Sequence, residues 1–131
     1  MSRSNPLPLL EHIFDSASCA VSYVDGVSLE DFLLDRRTKE AVAMNLINIG
    51  EAATKLLRHH AELIDRHPHV RWRSMLAMRN RIAHGYTDLD FHVVWETVTT
   101  SLPDLLKALP PIIRDASAAS SPQTPSSSGD R

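Results

Sequence analysis

Between Arg37 and His59, the apolar residues Val42, Leu46, Ile49, Ala53 and Leu56 recur at alternating spacings of four and three, which draws one stripe along an α-helix. Ala43, Ile47, Gly50 and Leu57 widen that stripe. The helix is therefore expected to be covered on two sides, by its own bundle and by a second copy that uses the Gly50 region. Gly50 lowers helix propensity by about 1 kcal/mol relative to alanine, and close packing of a neighbouring helix accounts for it. No run of alternating apolar and polar residues is long enough to argue for a strand, so the expected class is all-α.

The other segments read the same way. A first helix is expected from Leu7 to about Val24, with Leu9, Ile13, Ala17 and Ala20 on one stripe, and it should stop at Asp25-Gly26, where glycine takes a left-handed conformation. Ser28 looks like the N-cap of a short helix ending at Leu34, with Glu30 and Asp31 in its first turn. A helical turn near Glu62–Arg66 precedes a connector, because Pro68 disfavours a helical His67. A third long helix should span Trp72 to about Ala83, and Gly85 should permit the turn after it. Asp88 or Asp90 then caps a last helix through Leu109, which Pro103 should kink unless it falls at a break.

The chain has 131 residues, of which 43% are apolar, enough for one core and too few for a second domain. A folded domain is expected over residues 1–116. Residues 117–131, rich in Ser and Pro, should form a disordered tail. The single cysteine, Cys19, offers no disulfide and reads as a small buried side chain. Glu11, His12 and Asp15 interrupt any leader core or membrane span near the N-terminus, so a soluble cytoplasmic protein is expected.

Charge is unevenly spread. The net charge is −2, yet the stretch from Arg66 to Thr87 holds five arginines and three histidines and none of the sixteen acids. A local cluster of guanidinium groups suits a phosphate backbone. Within it, Arg79, Asn80, Arg81, His84 and Tyr86 fall inside eight positions. Five residues of helix turn through about 500°, leaving Arg79 and His84 about 140° apart, so arginine reach or a break at Gly85 would be needed to bring them together. If they converge, an imidazole, which titrates near neutral pH, can move the proton of a ribose 2′-hydroxyl or of the leaving 5′-oxygen. Arg79 would meet the charge growing on the phosphate, Asn80 would orient the phosphate or the imidazole, and Arg81 would hold a neighbouring phosphate.

The segment Arg79-Asn80-x-x-x-His84-x-Tyr86 resembles the R-x4-H-x-Y signature of HepT-like toxins in the HEPN superfamily. Phe32-Leu-Leu-Asp-Arg-Arg-Thr, Asn45-Leu-Ile-Asn-Ile-Gly-Glu-Ala-Ala, Arg71-Trp-Arg and Val94-Trp-Glu-Thr-Val resemble other stretches of that family, in its order. The resemblance implies an up-and-down bundle of four to five helices and a homodimer with two such segments facing across a cleft. It also implies endoribonuclease activity, with Arg79 and His84 catalytic. It further implies a toxin–antitoxin pair in which an MntA-like nucleotidyltransferase attaches AMP to Tyr86, whose phosphate would compete with RNA for Arg79 and Arg81.

Glu51 either approaches the basic segment and pairs with an arginine or lies exposed at a helix edge. His59, His60, His67 and His69 lack the carboxylate or cysteine spacing of a metal site and read as solvated, and no metal or cofactor is expected. Trp72 and Trp95 fall at core positions. The reading opposed to an RNase is a non-catalytic module of the same fold that binds RNA or a protein partner.

Overall fold

The computed structural model describes residues 5–120, and every regular element among them is helical. In order these are α1 (Leu7–Tyr23), α2 (Leu29–Leu34), α3 (Arg36–His59), α4 (Ala61–Arg66), α5 (Trp72–Gly85), a 3-10 turn (Tyr86–Asp88), α6 (Phe91–Glu96), a π turn (Thr97–Ser101) and α7 (Leu102–Ser120). Local chemistry sets most of these boundaries. Gly26 lies beyond the end of α1 at φ 74°, a region that costs other residues strain. The Ser28 hydroxyl accepts from the Asp31 amide at 3.1 Å, the Asp35 carboxylate from the Thr38 amide at 3.1 Å, and the Asp90 carboxylate from the His92 amide at 2.9 Å. Asp90 is thus the cap of α6, and Asp88 belongs to the 3-10 turn.

The long helices form a row. α3 packs on α1 and α5, α1 packs on α7, and α5 and α7 barely touch. An open cavity of about 560 Å³ lies between those two, floored by Leu46 and Ile49 of α3. The stripe read on α3 is the core: Val42, Leu46, Ile49, Ala53 and Leu56 are all buried. Full burial of a leucine- or isoleucine-sized side chain stabilises the fold by about 1.5–3 kcal/mol, so this stripe anchors the row. Trp72 is buried, and Trp95 is half-buried against Phe32, with ring centroids 5.1 Å apart.

Several details differ from expectation. Cys19 is half-buried, because the covered face of α1 runs through Ser16, Ala17 and Ala20 and leaves Cys19 on its flank. Leu10, not Leu9, is the fully buried leucine at the start of α1. Pro103 falls at a break, the second of the two outcomes expected for it: it sits in the first turn of α7, directly after the π turn interrupts the α-helical ladder. Pro110 and Pro111 lie inside α7, where the missing amides leave two carbonyls without helical partners, while buried Leu109, Ile112 and Ala116 hold the helix against α1. α7 runs to Ser120, past the expected onset of the tail at residue 117, and residues 121–131 of that tail lie outside the described residues.

Candidate active site

The basic segment rides on α5, a helix with only Trp72 and Ile82 buried and with α3 as its main support. Gly50 makes that support close. A Cβ placed on Gly50 would overlap the Cβ of Arg79 and come within 2.7 Å of the Met75 carbonyl oxygen. The glycine itself is therefore covered within the chain, by α5. Its helix-propensity cost is offset by the approach it allows.

That approach sets Arg79 down on α3 beside Glu51. The Arg79 guanidinium donates to the Glu51 carboxylate at 3.3 Å and to the Asn80 side-chain oxygen at 3.2 Å. Both readings open for Glu51 hold: it pairs with an arginine and is also exposed. With 30% of the Arg79 and 52% of the Glu51 side chain exposed, the pair is solvent-screened and adds about 0–1 kcal/mol to stability. Its consequence is orientation: two acceptors hold a fork of donors whose remaining N–H groups stay available to a phosphate.

His84 and Arg81 take a different face. Both are exposed, and neither side chain makes a hydrogen bond or ion pair with the described residues. α5 continues unbroken through Gly85, so the angular separation of about 140° stands and one chain alone does not bring His84 onto Arg79. The helix ends only after His84. The turn expected after Gly85 is present as the 3-10 turn at Tyr86–Asp88; Gly85 itself sits at φ −155°, with nothing within 4 Å of a Cβ placed on it.

Tyr86 opens the 3-10 turn that follows α5. Its ring meets Phe91 edge-on at 5.8 Å, and the side chain remains partly exposed. Burial and then the Glu40 carboxylate push its phenol above the usual value, opposed by Arg36. The charges that act on the phenol are thus the Arg36–Glu40 pair, 2.9 Å apart at the start of α3. The i,i+4 spacing of Arg36 and Glu40 is visible in the chain, but nothing local ties the pair to a tyrosine about fifty residues later.

The four histidines are not uniformly solvated. His67 is half-buried and its Nε2 lies 2.9 Å from Asp115 of α7, which also accepts from Arg66 at 3.3 Å; the Trp72 indole donates to the His67 carbonyl at 3.1 Å. His60 is half-buried, while His59 and His69 are exposed. Among the described residues no group of three His, Cys, Asp or Glu is placed to hold a metal ion, and no helix is long and apolar enough to cross a membrane.

A row of four long helices, with an arginine pinned against the central helix and an exposed histidine one and a half turns on, defines an all-helical protein of the R-x4-H class. The profile of the ribonuclease HepT-like family matches residues 13–112, and the chain belongs to that family. It is 32% identical over 109 residues to a protein assigned as an RNase in Caldanaerobacter subterraneus subsp. tengcongensis, covering 83% of this chain and 95% of that one. It is 34% identical over 96 residues to a protein assigned as ribonuclease HepT in Thermococcus cleftensis, covering 73% and 84%. An RNase-assigned protein of Methanocaldococcus jannaschii is 26% identical over 115 residues, covering 88% and 93%. No solved structure gives a significant match.

Proposed function

We propose that the chain is an endoribonuclease toxin acting in the cytoplasm, in which His84 moves protons and Arg79 stabilises the phosphate. The observation that carries this reading is the pinned Arg79 followed on the same helix by an open His84, in a chain of the HepT-like family. The 2′-oxygen of a ribose attacks the adjacent phosphorus as its proton passes to an imidazole, and the 5′-oxygen leaves with a proton. Arg79 meets the charge that gathers on the phosphoryl oxygens, oriented by Glu51 and Asn80. An acid–base group and a fixed cation supply what this cleavage needs, so no metal enters the proposal.

The site is completed by pairing of two copies. Arg79 and His84 point to different faces of α5, so two segments across one cleft bring the needed groups together where one chain does not. Leu34 and Met44, 85% and 56% exposed on α2 and α3, are apolar surface that such pairing would cover. Control is assigned to a nucleotidyltransferase antitoxin that transfers AMP from ATP to the Tyr86 oxygen, releasing pyrophosphate and the phenol proton.

Purified protein incubated with total RNA and with tRNA tests the reading. Arg79→Ala and His84→Ala should each slow cleavage about a hundredfold or more while keeping a helical fold. Wild-type cleavage by a folded His84→Ala chain would remove His84 from the chemistry. RNA binding with no cleavage by the wild-type chain would favour the non-catalytic module.

A further inference from the structure

On α5, residues Arg73, Ala77, Asn80, Arg81 and His84 recur at helical spacing and are all exposed, forming one stripe on the side turned away from buried Trp72 and Ile82. Arg36, Arg66 and Arg79 are each held by a carboxylate, whereas Arg73 and Arg81 make no ion pair among the described residues. They stand eight residues apart, about 12 Å along the axis, far enough to engage different phosphates of one strand. Between them the stripe carries only Ala77 and Asn80, a methyl group and a short amide, so nothing bulky or acidic keeps a strand from the helix surface.

From this we infer that the outer face of α5 is a track for the backbone of single-stranded RNA, running from Arg73 past Arg81 to His84, with Arg73 as a phosphate-binding residue. Resting on the RNA-cleavage reading above, the track gives that reading a direction: the strand follows the helix axis, and the bond presented to His84 is set by the register in which Arg73 and Arg81 hold its phosphates. Phosphate contacts position a strand without reading its bases, so the track is blind to sequence.

The test is RNA binding by a chain with His84→Ala, which keeps the oligonucleotide intact, compared with the same chain carrying Arg73→Gln. Fluorescence anisotropy with two single-stranded RNA oligonucleotides of unrelated sequence should show binding weakened roughly three- to tenfold, equally for both, and a log–log salt slope smaller by about 0.7. Arg114→Gln, on exposed α7 surface, should change neither quantity. In the catalytically intact chain, Arg73→Gln should raise KM and leave kcat near its original value. RNA binding by the His84→Ala chain with affinity and slope unchanged by Arg73→Gln would overturn the track alone. No RNA binding at all would overturn the track together with the RNA reading on which it rests.

Discussion

Gly50 of α3 faces Arg79 of α5 with no space for a methyl group between them. Because one of the obstructing atoms is the backbone oxygen of Met75, a side-chain rotation cannot relieve the overlap and α5 itself must shift. Gly50→Ala should therefore destabilise the protein by about 1–3 kcal/mol through overpacking, against the ~1 kcal/mol that alanine returns in helix propensity. The net loss should be visible as a lower urea midpoint, and RNA cleavage should fall with it as Arg79 moves. A Gly50→Ala chain more stable than the original would mean that α5 does not lie this close.

Glu51→Gln separates orientation from stability. The Arg79–Glu51 pair is partly exposed, so its loss should change stability by less than about 1 kcal/mol. Cleavage should nonetheless drop several-fold, because the guanidinium loses its charged anchor and retains the Asn80 oxygen. Equal kcat/KM for the two chains would leave Glu51 without a part in the site.

Acid should loosen the contact between the end of α4 and α7. The Asp115 carboxyl is held below its ordinary value chiefly by the His67 hydrogen bond and then by that from Arg66. A carboxyl lowered in the folded chain contributes stability that is present above its unfolded value, near 4, and is lost as pH falls through the lower folded value. Asp115→Asn should flatten the acid limb of a stability–pH curve below about pH 4. An unchanged acid limb, followed by urea denaturation, would count against the contact.

How much of this was legible in the chain follows from the range of each interaction. The α3 stripe, the caps Ser28 and Asp90 and the left-handed Gly26 depend on residues within a turn or two, and spacing exposes them. The R-x4-H segment was legible as a motif, and its 140° separation as simple helix geometry. Glu51 could be named but not placed, because its partner lies 28 positions away on another helix. His67 and Asp115, 48 apart, and Tyr86 beside Arg36 and Glu40 were hidden for the same reason. Gly50 carried a signal with two meanings, one helix of the same chain or one of a second copy, and only packing decides between them. The prolines of α7 mislead a local reading, since tertiary burial around them outweighs the lost amides.

Tyr86→Phe tests control by AMP. The phenylalanine keeps the edge-on contact with Phe91 and removes only the oxygen that would accept the nucleotide, so fold and RNA cleavage should stay near their original levels. The phenol is held above its ordinary value by burial and by Glu40, and is therefore neutral at physiological pH. Its proton must be taken by a base of the nucleotidyltransferase, which is why modification should require that partner and not occur with ATP alone. Once formed, the phosphodiester anion would be attracted by Arg36 and repelled by Glu40, the two charges that act on this phenol. Mass spectrometry after co-expression should find one AMP mass on the Tyr86 peptide and none in the Tyr86→Phe chain, which should then escape neutralisation by modification. AMP found only on another residue, or full neutralisation of an unmodified chain, would take Tyr86 out of the control mechanism.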